Sequence, residues 1–149
     1  MTRRILVVCL GNICRSPTAE AVLRRKAAEA GLDVVVESAG TGAWHLGDPP
    51  HPEMARTARA AGYDMDGMRA RRFGREDFGR FDLILAADEE NLADIEALRP
   101  PGDATPARLF APHAGDGTRA IPDPYYTKDF AGALALIERA AAGLVAQLQ

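Results

Sequence analysis

A thiol, a guanidinium and a hydroxyl lie within eight residues of one another in Cys9-Leu10-Gly11-Asn12-Ile13-Cys14-Arg15-Ser16. Groups of these kinds suit chemistry on a phosphate dianion. A thiolate is a nucleophile, and the planar fork of Arg15 matches two phosphate oxygens better than a lysine would. The successive N–H groups of Leu10, Gly11, Asn12, Ile13, Cys14 and Arg15 can turn inward around a tetrahedral oxyanion, and a following helix adds its N-terminal dipole. Such a wrap needs residues that tolerate positive φ, a role open to Gly11 and Asn12. Attack by Cys9 requires the anion, which the helix start, Arg15 and the Ser16 hydroxyl all favour. Taken singly, Cys9 would also fit a buried strand end and Arg15 a solvated charge; the combination is what points to chemistry. It is not a nucleotide-binding loop of the Gly-x4-Gly-Lys-Ser/Thr kind, which the chain lacks.

The elements that must position these groups follow from the hydrophobic pattern. Apolar runs at 4–9, 33–37, 81–87 and, more weakly, 107–110 read as strands, with helical patterns between them. Alternation of this kind predicts an α/β fold of three layers, a parallel sheet with helices on both faces. Pro17 fits the first position of a helix running to Ala30 with one buried face, and Gly31 stops it. Further helices are expected over 51–61, over 89–98 with Asp88 as N-cap, and over the last segment, where Phe130, Leu134, Ile137, Ala141, Leu144 and Leu148 form one stripe. Segments 38–50 and 99–128, rich in Gly, Pro and Asp, read as loop. In an open parallel sheet ligands sit beyond the carboxyl ends of the strands, which places Cys9 at the mouth of a pocket.

The chain has 149 residues, 47% of them hydrophobic, and reads as one domain over 1–149. A formal net charge of −3 argues against a nucleic-acid-binding surface, so any phosphate site must be local. Neither a membrane-spanning run nor a secretory signal is apparent, so no membrane insertion is expected and the cytoplasm is the expected location. Only Cys9 and Cys14 are available as thiols, too close in sequence to staple distant parts of a fold. His45, His51 and His113 show no base or metal spacing and read as loop polar residues. The basic run Arg69, Arg71, Arg72 and Arg75 reads as a solvated face.

Three stretches carry a resemblance to a known family: Val8 to Pro17; Ser38-Ala39-Gly40-Thr41-Gly42-Ala43-Trp44-His45; and Asp123-Pro124-Tyr125-Tyr126. The chain resembles the low-molecular-weight protein tyrosine phosphatases along nearly its whole length. The resemblance implies a four-stranded parallel sheet of order 2-1-3-4 and hydrolysis of phosphotyrosine through a phosphocysteine. Cys9 would be the nucleophile, with Arg15 and the loop amides binding the phosphoryl group. Ser16 would support the thiolate, Asn12 and Ser38 would hold the loop in shape, and Asp123 would be general acid and then base. Ile13, Trp44, Tyr125 and Tyr126 would wall the substrate ring, and Cys14 would form a reversible disulfide with Cys9. The implied partner is a phosphotyrosine-containing protein, with the chain a monomer or weak homodimer, and no cofactor or metal is needed. Met68 departs from the family, many members of which carry His there. Alternatives that share the loop are a phosphoarginine phosphatase, which tends to carry Thr where this chain has Ile13, an arsenate reductase, which needs further cysteines, and a non-catalytic phosphotyrosine-binding module, which would lack Cys9 or Asp123.

Overall fold

The computed structural model describes residues 2–149. Strands β1 (Arg3–Cys9), β2 (Val34–Gly40), β3 (Leu83–Ala86) and β4 (Ala107–Leu109) form one parallel sheet in the order β2-β1-β3-β4, as the resemblance implies. Around it lie helices α1 (Arg15–Glu29), α2 (Pro52–Ala60), α3 (Glu89–Ala97), α4 (Pro124–Thr127) and α5 (Phe130–Leu148), with tight 3₁₀ turns at Arg75–Gly79 and Ala111–Ala114.

β1 reads as an unbroken apolar run because it is central and covered on both faces. Side chains alternate along a strand, so Ile5, Val7 and Cys9 enter one core and Leu6 and Val8 the other. The first core also takes Val36, Leu85 and the apolar sides of α1 and α5. The second holds Ile84, Ala86, Phe73, Phe78, Phe81 and Ile95 of α3. By length and composition alone α5 could cross a membrane, but its stripe of Phe130, Leu134, Ile137, Ala141 and Leu144 is buried in the first core. Gly143 lets it come close to the 111–114 turn, since a Cβ there would lie 1.7 Å from the His113 carbonyl oxygen.

Three expectations need correction. α1 starts at Arg15, two residues before the expected start, so Pro17 is its third residue; an N–H missing there is no loss, because the first four have no partner within a helix. The helix is also buried all round from Arg15 to Leu23 rather than on one face, because the segment after β2 wraps its outer side, as the contact of Thr18 Oγ1 with Met65 Sδ illustrates. The expected loops are not all loop: β2 continues through 38–40 at the start of the first, and 99–128 holds, besides β4, the 111–114 turn and α4.

Candidate active site

The carboxyl ends of the strands are tied together beyond the last regular pairs. Thr41 N–H donates to Cys9 O (2.9 Å), Ala87 N–H to Val8 O (2.9 Å) and Ile121 N–H to Ala87 O (2.8 Å). These bonds fix three loops around the end of β1. They enclose a cavity of about 320 Å³ lined by Cys9, Leu10, Gly11, Ile13, Cys14 and Arg15 on one side, by Trp44 and His45 on a second, and by Asp123, Tyr125 and Tyr126 on a third. Of the residues singled out from sequence, only Asn12, Ser16 and Ser38 lie outside this lining, and they stand directly behind it.

Cys9 lines the cavity but is 3% exposed, a buried floor rather than the expected mouth. Its Sγ is 2.9 Å from Ser16 Oγ and accepts the Asn12 N–H at 3.3 Å. The sulfur thus sits between a backbone donor and a hydroxyl that can donate to it. The N–H groups of Leu10, Gly11, Ile13, Cys14 and Arg15 find no acceptor among the described residues, which leaves them for an external one. Asn12 adopts φ +57°, as expected. Gly11 does not use positive φ; its constraint is space, because a Cβ there would meet His45 Cδ2 at 3.0 Å. Gly40 is also a close approach, where a Cβ would lie 2.8 Å from Leu10 O. Gly42 lies beneath the Trp44 ring, which would collide with any side chain at that position.

Arg15 is 4% exposed in the first turn of α1. Its Nη1 donates to Asp88 Oδ2 (2.8 Å) and to Ile121 O (2.9 Å), and Nη2 donates to Asp123 Oδ2 (3.4 Å). Burial works against its charge, but Cys9, Asp88 and Asp123 outweigh it and hold its pKa above the ordinary value. Asp123 is the N-cap of α4, its Oδ1 accepting the Tyr125 N–H (3.0 Å). The short helix therefore aims the carboxylate across the cavity at Arg15. Cys14, also 3% exposed, has its pKa pushed up to about 12 by burial and then by the charges of Asp123 and Cys9. Both cysteines are free thiols.

The rim is aromatic. Trp44 is 73% and Tyr126 70% exposed, while the rings of Tyr125 and Tyr126 meet edge to face at 5.2 Å. Large apolar rings left in water around a cavity mark a binding surface. Lys128 Nζ stands 5.2 Å from the Tyr125 ring centre.

Sequence reasoning missed four residues. Asp88 caps α3 as expected, accepting the Asn91 N–H through Oδ1, but its other oxygen holds Arg15. His45 lines the cavity, its ring 6.1 Å from that of Tyr125. Arg71 is not part of a solvated face: its guanidinium grips the fully buried Asp77 at 3.0 and 3.1 Å, and its N–H donates to Asn12 Oδ1 (3.0 Å). Glu20 accepts from Ser38 behind the loop. Asp88 could have been found from its position, since it follows the carboxyl end of β3, where ligand-site residues gather.

A family model described as low molecular weight phosphotyrosine protein phosphatase matches residues 4–149. The Bacillus subtilis low molecular weight protein-tyrosine-phosphatase YfkJ is 39% identical over 148 residues, covering 97% of this chain and 95% of its own. The YfkJ crystal structure matches with a TM-score of 0.94 at 38% identity, covering 100% of this chain and 96% of that one. A crystal structure described as a drosophila arginine phosphatase also matches, with a TM-score of 0.91 at 29% identity and 97% of each chain covered. A match along nearly the whole sequence, with the cysteine, the arginine and the distant aspartate meeting at one cavity, places this chain in the low molecular weight phosphotyrosine protein phosphatase family.

Proposed function

We propose that the chain is a metal-independent protein tyrosine phosphatase that works through a phosphocysteine on Cys9. The observation that carries this reading is the convergence of Cys9, Arg15 and Asp123 on one cavity with a row of unpaired backbone N–H groups. The Cys9 thiolate attacks phosphorus, an S–P bond forms, and the P–O bond to the tyrosyl ring breaks. A phenolate is a poor leaving group, its conjugate acid having pKa ~10, so Asp123 gives its proton to the departing oxygen. The carboxylate then takes a proton from water as that water attacks phosphorus, releasing inorganic phosphate and the thiolate. Arg15 and the loop N–H groups hold the equatorial oxygens, stabilising charge where it develops.

Phosphotyrosine is favoured over phosphoarginine because Trp44, Tyr125 and Tyr126 offer flat apolar faces to a phenyl ring. Ile13, buried at 8% exposure in the lining, has no acceptor for guanidino N–H groups. The deciding measurement compares phosphate release from phosphotyrosine, phosphoserine and phosphoarginine peptides side by side. Selective release from tyrosine is expected, and preference for phosphoarginine would replace this reading with that of the arginine phosphatase. Cys9→Ser should abolish turnover while still binding vanadate. Asp123→Ala should slow phosphotyrosine hydrolysis by about 10²–10⁴ and that of an activated aryl phosphate much less, since only the poor leaving group needs the proton.

A further inference from the structure

Behind the phosphate loop a chain of hydrogen bonds ends on a carboxylate with no part in the scheme above. Glu20, buried on α1, accepts the Ser38 hydroxyl proton at Oε1 (2.7 Å) and pairs with Arg24 at Oε2 (2.6 Å). Ser38 Oγ accepts from Asn12 Nδ2 (3.0 Å), and the same nitrogen donates to Ser16 Oγ (2.8 Å). Asn12 Oδ1 accepts the Arg71 N–H, which settles which end of the amide faces the serines.

Donor and acceptor capacity fixes the direction of every link. An ionised carboxylate only accepts, and a serine has one proton to give. With the Ser38 proton on Glu20, Ser38 Oγ is left to accept, which suits the Asn12 amide nitrogen. Ser16 Oγ also accepts from Asn12, so its own proton is free for Cys9 Sγ at 2.9 Å or Ala39 O at 3.3 Å. The thiolate is the nearer and the charged acceptor, so it receives the proton. Without the carboxylate, Ser38 loses its charged acceptor and can turn its proton toward Asn12 Nδ2, the amide is then held in this sense by the Arg71 N–H alone, and the Ser16 proton is less firmly directed at the sulfur.

We propose that Glu20 is a positioning residue for the nucleophile: its carboxylate sets the polarity of the chain Ser38, Asn12, Ser16 so that the chain ends in a proton pointed at Cys9 Sγ. Donors on both oxygens, Ser38 on one and Arg24 on the other, fix it as an acceptor. Burial leaves the Glu20 pKa above the ordinary value although the Ser38 hydrogen bond and Arg24 act against it, and Glu37 of β2 and Arg71 bear on it more weakly in opposite senses. Met68 lines the same cavity as Glu20 and Ser38, and a thioether donates no hydrogen bond that could reverse the first link. The inference rests on Cys9 being the nucleophile.

The test is iodoacetate alkylation of Cys9, followed by mass spectrometry across pH, in the parent, Glu20→Ala, Glu20→Gln and Ser38→Ala. In the parent, alkylation should remove activity in step; alkylated Cys9 with activity intact would end the nucleophile assignment, and this inference with it. Glu20→Ala should raise the alkylation midpoint by about 0.5–1 pH unit, the size expected for weakening one hydrogen bond to the thiolate. Its kcat on phosphotyrosine should fall about 3–10-fold in mildly acid solution, with the variant-to-parent ratio recovering as pH rises and KM little changed. Glu20→Gln, which can accept through its amide oxygen and keeps the volume, should shift less. Ser38→Ala should shift as Glu20→Ala does, and the double variant no further, because both cut one chain. An unchanged midpoint in Ser38→Ala and Glu20→Ala, or a kcat loss equal at every pH, would overturn the proposal and leave Glu20 a packing contact. Should Glu20→Ala fail to fold, Ser38→Ala and Glu20→Gln decide on the same criteria.

Discussion

Two cysteines five positions apart differ in what the fold does to them. Cys9 accepts the Asn12 N–H and lies against the Ser16 hydroxyl, whereas Cys14 is buried beside two negative charges and its pKa rises to about 12. A raised thiol pKa means that the neutral form persists as pH rises. Alkylation read by mass spectrometry should therefore modify Cys9 alone from pH 5 to 9, with Cys14 untouched in the folded chain. After mild peroxide, Cys9 sulfenic acid should condense with the Cys14 thiol, losing water and giving a disulfide that dithiothreitol reverses. Peptide maps showing only irreversible Cys9 acids would exclude that protection. These two roles were legible as residue types in the sequence. Their inequality was not, because it depends first on how the fold buries Cys14 and then on Asp123, more than a hundred residues away in the chain.

At the scale of elements, the strands and long helices were legible because their periodicity is local. β1 announced itself as an apolar run, α5 as a stripe from Phe130 to Leu148, and Asp88 as an N-cap. What periodicity could not carry was the second use of an element's end. Asp88 caps α3 with one oxygen and holds Arg15 with the other, and nothing in the local sequence distinguishes a cap with one duty from a cap with two. Likewise Arg71 looked like one of four exposed arginines until Asp77 closed over it. Asp88→Asn separates the two duties, since the amide oxygen can still cap while the charge is gone. Thermal unfolding should stay close to the parent, while kcat/KM falls roughly 10-fold or more, the usual scale for losing a charge-assisted hydrogen bond. Asp88→Ala should lose about 1 kcal/mol of stability in addition.

For the whole molecule, the cavity is where β1, β2 and β3 end and where the segment before α4 returns to the sheet, so a ligand there bridges the loops that follow β1 and β2 to the segment at α4. An anion that binds only the folded state stabilises it by mass action, by about 2.7 kcal/mol at one hundred times its Kd. For a chain of this length that corresponds to a rise in Tm of roughly 5–11 °C. Vanadate or inorganic phosphate should produce such a rise in the parent and in Cys9→Ser, and none in Arg15→Ala. A rise that survives in Arg15→Ala would place the anion elsewhere.

Arg15 is not idle without substrate: its fork is already shared by Asp88 on one side and Asp123 on the other. On the proposed mechanism, a phosphoryl group enters by exchange, taking over the Arg15 Nη2 that Asp123 held at 3.4 Å while Asp88 keeps its grip on Nη1, so the measured affinity is a difference between two sets of ion pairs. The same exchange runs backwards when inorganic phosphate leaves. The resting molecule thus contains its own competitor for the product, and the acid that makes entry less favourable keeps the pocket from being trapped by what it has just made.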